Sequence, residues 1–385
     1  MPKFTAYILL ILVILGLTGQ FMANMRPLWC KIDQKTYWPV FESQFSKQLN
    51  VQFIEFDEQN KWQSLPASDR IMPLVPFTAA LRSPHKNLPP LTPVNGIQHW
   101  LGTDEYGRDV LACLITGAQT CLFTAVLVLL VSLLVGGLLG GIAGYFGNDQ
   151  LTLRWSKVIL GVLSILIALF FLLLSRKGQS ETGLTWLQII GVVSIAAMSA
   201  YILEKIAQKL NIGSTTTTIP VDNIIMRMAE IFESIPLLVL LLISASFIKD
   251  RTLTKIIILI GVFIWTGTAR FLRSELLKVR KMDYIAAAQR LGIPAWRILL
   301  KHAMPNAIRP VLLMLTLSAS GAIMIESALS FLNLGSNDIT IITWGKMLQT
   351  ARNNIELWWV WLPPGVLIAS VSYALFVWND KSKFA

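Results

Sequence analysis

Eight stretches of this chain are long and apolar enough, or nearly so, to cross a lipid bilayer as helices: about 5–23, 119–145, 158–175, 184–203, 231–248, 255–272, 308–332 and 358–378. In hydrocarbon every backbone N–H and C=O must be satisfied within the chain, and about 20 apolar residues of helix cover the bilayer core. The sequence therefore predicts an all-α polytopic membrane protein of about eight spans. Composition agrees: 54% of the 385 residues are hydrophobic and 14% are charged, too apolar for an ordinary soluble domain. The first stretch has Lys3 ahead of an apolar core, as a signal peptide does. The run from Thr5 to Met25 is uncharged and long for a signal core, and it shows no convincing small-x-small cleavage site. It reads as an uncleaved first span.

A net charge of +11 raises nucleic acid as a partner, but the placement of the cations answers it differently. With the N-terminus inside, the inner segments hold 17 Lys and Arg and the short outer loops hold 7. The other nine lie between Arg26 and Arg108, in a loop too long for the positive-inside rule to apply strongly. The excess charge is thus a topology signal. It predicts cytoplasmic N- and C-termini, lipid contact and no nucleic acid. Nine cations fall between Arg270 and Arg309 with only Glu275 and Asp283 among them. Each would cost about 2.5–3.5 kcal/mol at mid-bilayer, so this stretch stays out of the hydrocarbon.

Within it runs a polar island from Asp283 to Pro305. Asp283 is suited to cap a short helix through its side chain. Ala286, Ala287 and Ala288 favour helix and leave a low-relief face. Gly292 suits the left-handed turn that ends it. Pro294 fits the first turn of a second helix, and Pro305 is expected to end that one. The pattern predicts two short helices joined at Gly292. On physics alone, a solvated loop between spans accounts for it equally well.

The long segment 24–118 is expected outside, as short strands and extended chain. It is rich in proline and lacks helical periodicity, and Val51 to Phe56 reads as a strand. Trp29, Tyr37, Trp38, Trp62 and Trp100 suit an interfacial position, as do Trp344, Trp358, Trp359 and Trp361 at the last span. Near the end of this segment stands Leu101-Gly102-Thr103-Asp104, two residues, Gly107-Arg108-Asp109. Gly102 and Gly107 have the spacing that opens a phosphate-binding P-loop, but Arg108-Asp109 replaces the required Lys-Ser/Thr. A tight outer turn with a local Asp–Arg pair also accounts for the stretch. In the second span Gly136, Gly137, Gly140, Gly141 and Gly144 predict close helix packing. Pro236 predicts a kink in the fifth span. Glu326 is an ionisable residue inside the seventh span, either lining a pathway or holding the helix to a neighbour.

The chemistry of catalysis is missing from the sequence. Cys30, Cys113 and Cys121 form no closed disulfide framework and have no metal-ligand spacing. His85, His99 and His302 are widely separated, and no Ser-His-Asp arrangement occurs. No catalytic residue, no metal and no cofactor on this chain are expected.

Two patterns resemble the permease subunits of ABC importers. The island is similar to their cytoplasmic coupling loop through Ala287, Ala288, Gly292 and Pro305, although Ala286 stands where the motif has Glu. The Leu101–Asp109 pattern resembles a hallmark of the second, C-type permease of dipeptide and oligopeptide importers. Glu326, Leu329, Ser330, Phe331, Leu332 and Gly335 match a further stretch. The long outer segment looks closest to the branch that takes up peptide antibiotics of the microcin type. The resemblance implies a type I core of six transmembrane helices, here with an inserted helical pair. Its divisions are a first span 1–23, an extracytoplasmic segment 24–118, a second span and inner loop 119–157, the inserted pair and linker 158–219, and the rest of the core 220–385. The coupling loop would occupy 273–307, with Asp283, Tyr284, Ala287, Ala288, Arg290, Gly292, Pro294 and Pro305 as its contact residues.

The resemblance further implies a bacterial inner-membrane heterodimer with a partner permease, two cytoplasmic ATPase subunits that bind ATP and Mg, and an extracytoplasmic substrate-binding protein. Related permeases carry nickel or other small solutes. A non-transporting scaffold or sensor and an ion channel are the rival classes.

Overall fold

Among the described residues, helices form over six of the eight predicted apolar runs, and Asp109, Thr252 and Thr343 cap three of the chain's helices with their side chains. The computed structural model describes residues 2–32, 35–41, 62, 69–80, 82–94, 97–148, 152–154, 194, 198, 201, 205, 216–352 and 354–382. The order is α1 (Pro2–Met22), β1 (Trp29–Ile32), β2 (Lys35–Tyr37), β3 (Arg70–Ile71), β4 (Thr92–Val94), β5 (Ile97–His99) and α2 (Val110–Phe146). Then come β6 (Thr152–Arg154), β7 (Thr216–Thr218), α3 (Val221–Ser234), α4 (Leu237–Ser246) and α5 (Leu253–Val279). The chain ends with α6 (Asp283–Arg290), α7 (Ala295–Ile298), a π-helical turn (Leu299–Ala303), α8 (Met304–Phe331), α9 (Trp344–Ala351) and α10 (Trp358–Ser382). Among the described residues five helices are long and apolar enough to span a membrane, or six if the bent pair α3–α4 counts as one. The chain is a mostly helical, multi-pass membrane protein. The predicted strand at Val51–Phe56 lies outside the described residues, and so does nearly all of the predicted pair 158–175 and 184–203.

Two units are distinguished, residues 1–141 with 229–385, and residues 142–228. In the first, α8 packs against α5 and α10, and α1 lies along α10. Gly136 and Gly140 of α2 meet α5 where a β-carbon would overlap the carbonyls of Trp265 and Ala269. The backbones thus approach as small residues allow, and the hydroxyls of Ser132 and Thr268 bond across the contact at 2.8 Å. The extended segment carries a three-stranded antiparallel sheet of order β2–β1–β3, with Cys30 opposite Tyr37, and a β4–β5 pair.

In the second unit β6 and β7 pair antiparallel, Arg154 opposite Thr216. The end of the segment expected as a linker, Thr216–Thr218, is therefore a strand, as β-branched residues favour. The ladder brings the two ends of the intervening segment side by side. The Asp222 amide donates to the Gly147 carbonyl at 3.3 Å, and Asn148 and Asn223 bond at 3.1 Å.

Three boundaries differ from expectation. The second span begins at Val110, not near 119, because Asp109 accepts from the Ala112 amide at 2.7 Å and caps the helix nine residues earlier. The fifth span, predicted as one kinked helix over 231–248, is two helices bent by 83° at Ile235–Pro236. The break leaves Glu233 beside Arg270 of α5, at 2.7 Å. The amphipathic α9 was not predicted. Thr343 caps it, its hydroxyl accepting from the Lys346 amide at 3.2 Å.

Candidate functional site

The Asp283–Pro305 stretch folds as an elbow. α6 ends at Arg290 with Leu291 as its cap, and Gly292 takes φ +71°. The Ile293 amide donates to the Ala288 carbonyl and the Gly292 amide to the Gln289 carbonyl, at 3.3 and 3.0 Å. This is the paired closure that a left-handed glycine permits after a helix. Arg290 stands in the last turn, where a cation complements the helix dipole.

Three details correct the expectation. Asp283 is the first residue of α6, not its cap. Met282 holds the cap position and makes no side-chain cap bond. The reason is local: a cap residue needs an extended backbone, and Met282 has it at ψ 144°. Pro294 caps α7 from just outside, its carbonyl accepting from Arg297. Pro305 does not end the second helix. It stands in the first turn of α8, which runs on from the π turn without a break. A proline ring clashes with the carbonyl four residues back. Here that residue is Lys301, inside the widened turn Leu299–Ala303, so the helix absorbs the proline by expanding instead of stopping.

The elbow is pinned to the bundle on one side only. Ile285, Ala288, Ile298, Leu299 and Ala303 are buried, whereas Ala286, Ala287, Arg290, Pro294 and Pro305 are exposed. Leu291 is 79% and Trp296 56% exposed, so the uncovered side is both apolar and cationic. The Tyr284 hydroxyl accepts from the Asn306 amide at 2.8 Å, tying α6 to α8.

The Leu101–Asp109 stretch folds as a closed corner at the head of α2. Gly102 and Gly107 have φ +72° and +75°, and a β-carbon on either would overlap the Leu88 or Ser83 carbonyl. The Asp104 carboxylate accepts from Nε of Arg108 at 2.7 Å and from its terminal nitrogen at 2.7 Å. It also accepts from the amides of Tyr106 and Arg108, each at 2.9 Å. The Thr103 hydroxyl donates to the His85 carbonyl and accepts from the Leu88 amide. Asp109 holds His99 as well as the helix, with Nδ1 at 2.8 Å and both side chains buried. The His99 ring stacks on Phe77 at 4.2 Å between centroids. From the far end of the chain, the Trp359 indole donates to the Thr103 carbonyl and the Asn354 amide to Glu105. Leu101 packs on the core beneath. These polar groups satisfy one another, so the corner holds a shape and offers no nucleophile. The sequence did not show the partners His99, Phe77 and Trp359, because loop contacts carry no periodic signal.

Glu326 is buried in α8. It accepts from the Ser330 hydroxyl at 2.7 Å and is bonded by Thr343. With Gly117, Cys121 and Trp344 it lines a small gap among α8, α2 and α9. The indole N–H of Trp344 donates to the Leu114 carbonyl at 3.0 Å. Glu326 thus sits in a helix-packing seam.

Elbow and corner belong to opposite ends of α8. The elbow leads into Met304, while Ser330 and Asn333 share a cavity with Arg108. At 1.5 Å per residue, α8 separates them by about 40 Å, more than the roughly 30 Å of a bilayer core. Among the described residues no group of His, Cys, Asp and Glu is arranged to hold a metal.

Residues 217–381 match the family of binding-protein-dependent transport system inner membrane components. The match takes in α3 to α10, the elbow and Glu326, but not the Leu101–Asp109 corner. The chain is 27% identical over 297 residues to the dipeptide transport system permease protein of Bacillus subtilis, covering 77% of this chain and 68% of that one. It is 30% identical over 153 residues to the oligopeptide transport system permease protein of Salmonella typhimurium, covering 39% and 50%. A peptide permease protein of Brucella ovis is 31% identical over 160 residues, covering 40% and 52%. The chain thus spans about half the length of the last two. All three relatives are named as permease proteins. The similarity to binding-protein-dependent transport inner membrane components is thus carried by residues 217–381.

Proposed function

We propose that this chain is a permease subunit of an ATP-driven peptide importer. It would form the translocation pathway with a second permease, couple through the elbow to two cytoplasmic ATPase subunits that bind ATP and Mg, and receive cargo from an extracytoplasmic substrate-binding protein. The observation that carries this reading is the continuity of the elbow with a spanning helix. Ala295 to Phe331 is one helical run with a single widened turn. A push on the exposed face of α6 and α7 is therefore delivered to α8 as a rigid-body displacement, and α8 touches α5, α9 and α10. The peptide class is supported by the names of the relatives, and the cytoplasmic side of the elbow by its cations.

Replacing Gly292 by Val tests the coupling. A β-branched residue at φ +71° is strained, while a β-carbon there meets no neighbour, so the bundle is spared. The variant is expected to insert normally and to lose about tenfold in affinity for the ATPase subunits, the scale of a strained left-handed turn in a docking face. Unchanged affinity in co-purification would remove the coupling role from this elbow.

A further inference from the structure

A cavity of about 360 Å³ lies at the end of α8 remote from the elbow. Its volume is within the usual range for small-ligand sites. One wall comes from the corner, with Arg82, Tyr106 and Arg108. The other comes from the turn after α8 and from α9, with Asn333, Asp338, Lys346 and Gln349. Three of these seven are cationic and one is acidic. Arg108 is neutralised by Asp104 in the two-point contact described above. Asp338 is held below the ordinary carboxyl range by hydrogen bonds from Thr340 and remains an anion. Lys346 donates to the carbonyls of Asp338 and Ile341, at 2.5 and 2.7 Å. An ammonium has three N–H groups, so one is left for a ligand. Arg82 is exposed and stands over the Tyr106 ring at 5.5 Å.

The balance is one positive charge in excess, set among side-chain amides and hydroxyls. That composition suits a monoanion flanked by amide groups. A polyphosphate would call for more cations, and a base or sugar for more aromatic surface than Tyr106 supplies.

We infer that this cavity receives the terminal carboxylate of a peptide, with Arg82 and Lys346 as its cationic contacts and Asn333 and Gln349 as partners for the adjoining peptide bond. The inference rests on the peptide-import reading for its ligand class. It adds a place on this chain where cargo is held, at the opposite end of α8 from the coupling elbow.

The test compares trialanine with trialanine amide, titrated against the full chain in lipid nanodiscs. The free acid is expected to bind about tenfold tighter, the scale of one hydrogen bond to a charged group. Arg82→Gln is expected to erase that preference and Arg82→Lys to keep most of it. Arg82 is exposed, so neither variant disturbs the core, and a thermal melt verifies this. Equal binding of the two peptides, binding of neither, or a preference that survives Arg82→Gln would each overturn the assignment. Uptake of trialanine by the assembled transporter is measured separately. Loss of uptake with the binding preference intact would count against the import reading and not against the cavity.

Discussion

At the scale of residues, two left-handed positions close helices by the same device with different side chains. Gly292 closes α6, and Asn333, at φ +61°, closes α8. There the Leu334 amide donates to the Leu329 carbonyl at 2.8 Å and the Asn333 amide to the Ser330 carbonyl at 3.1 Å. Asparagine is among the few non-glycine residues that visit this region readily. Asn333→Val is therefore expected to lower the stability of the purified protein by about 1–2 kcal/mol, and Asn333→Gly to leave it nearly unchanged. Thermal melting in detergent separates the two. The Asp104–Arg108 pair makes a stronger demand. Both side chains are buried, and removing one partner strands the other charge. Asp104→Ala is expected to cost about 3–5 kcal/mol, read from the same melts. The pair itself was legible because its members are four apart in a glycine-bounded turn. The His99–Asp109 contact was not, since nothing in a loop sequence says which histidine returns to which acid.

Elements were legible to the extent that their cause was local. Span lengths came from apolar runs, and the close contact of α2 with α5 came from the spacing of glycines. That contact has an internal control. A β-carbon on Gly140 would overlap the backbone of Ala269, whereas one on Gly137 has only Leu133 near it, at 3.9 Å. Gly140→Leu is expected to destabilise by about 1–3 kcal/mol through overpacking and Gly137→Leu by much less, compared as shifts in melting temperature. The 83° break at Pro236 lay beyond the sequence. Proline signals that a helix is interrupted, but the angle depends on what receives the next helix, and α4 is received by α5. Pro305 shows the converse. The same residue type that breaks one helix is accommodated in another, because a π turn lies directly before it. The eight-residue α9 carries too short an amphipathic pattern to be told from loop. It becomes a helix by packing, with Trp344, Gly345 and Met347 buried.

At the scale of the whole molecule, the cationic elbow and the polar corner terminate opposite ends of the same spanning helix, and they are expected on opposite faces of a membrane. The segment between β6 and β7 leaves and returns at adjacent points, so its ends leave the connection from α2 to α3 local. The direct measurement is side-specific labelling of single cysteines in sealed cells with a membrane-impermeant maleimide. Cys30, Cys113 and Cys121 are all buried, which keeps the background low. Lys86 near the corner and Arg290 on the elbow are both exposed. Lys86→Cys is expected to react from outside and Arg290→Cys only after lysis. Labelling of Arg290→Cys in sealed cells, or of both positions from one side, would contradict this placement.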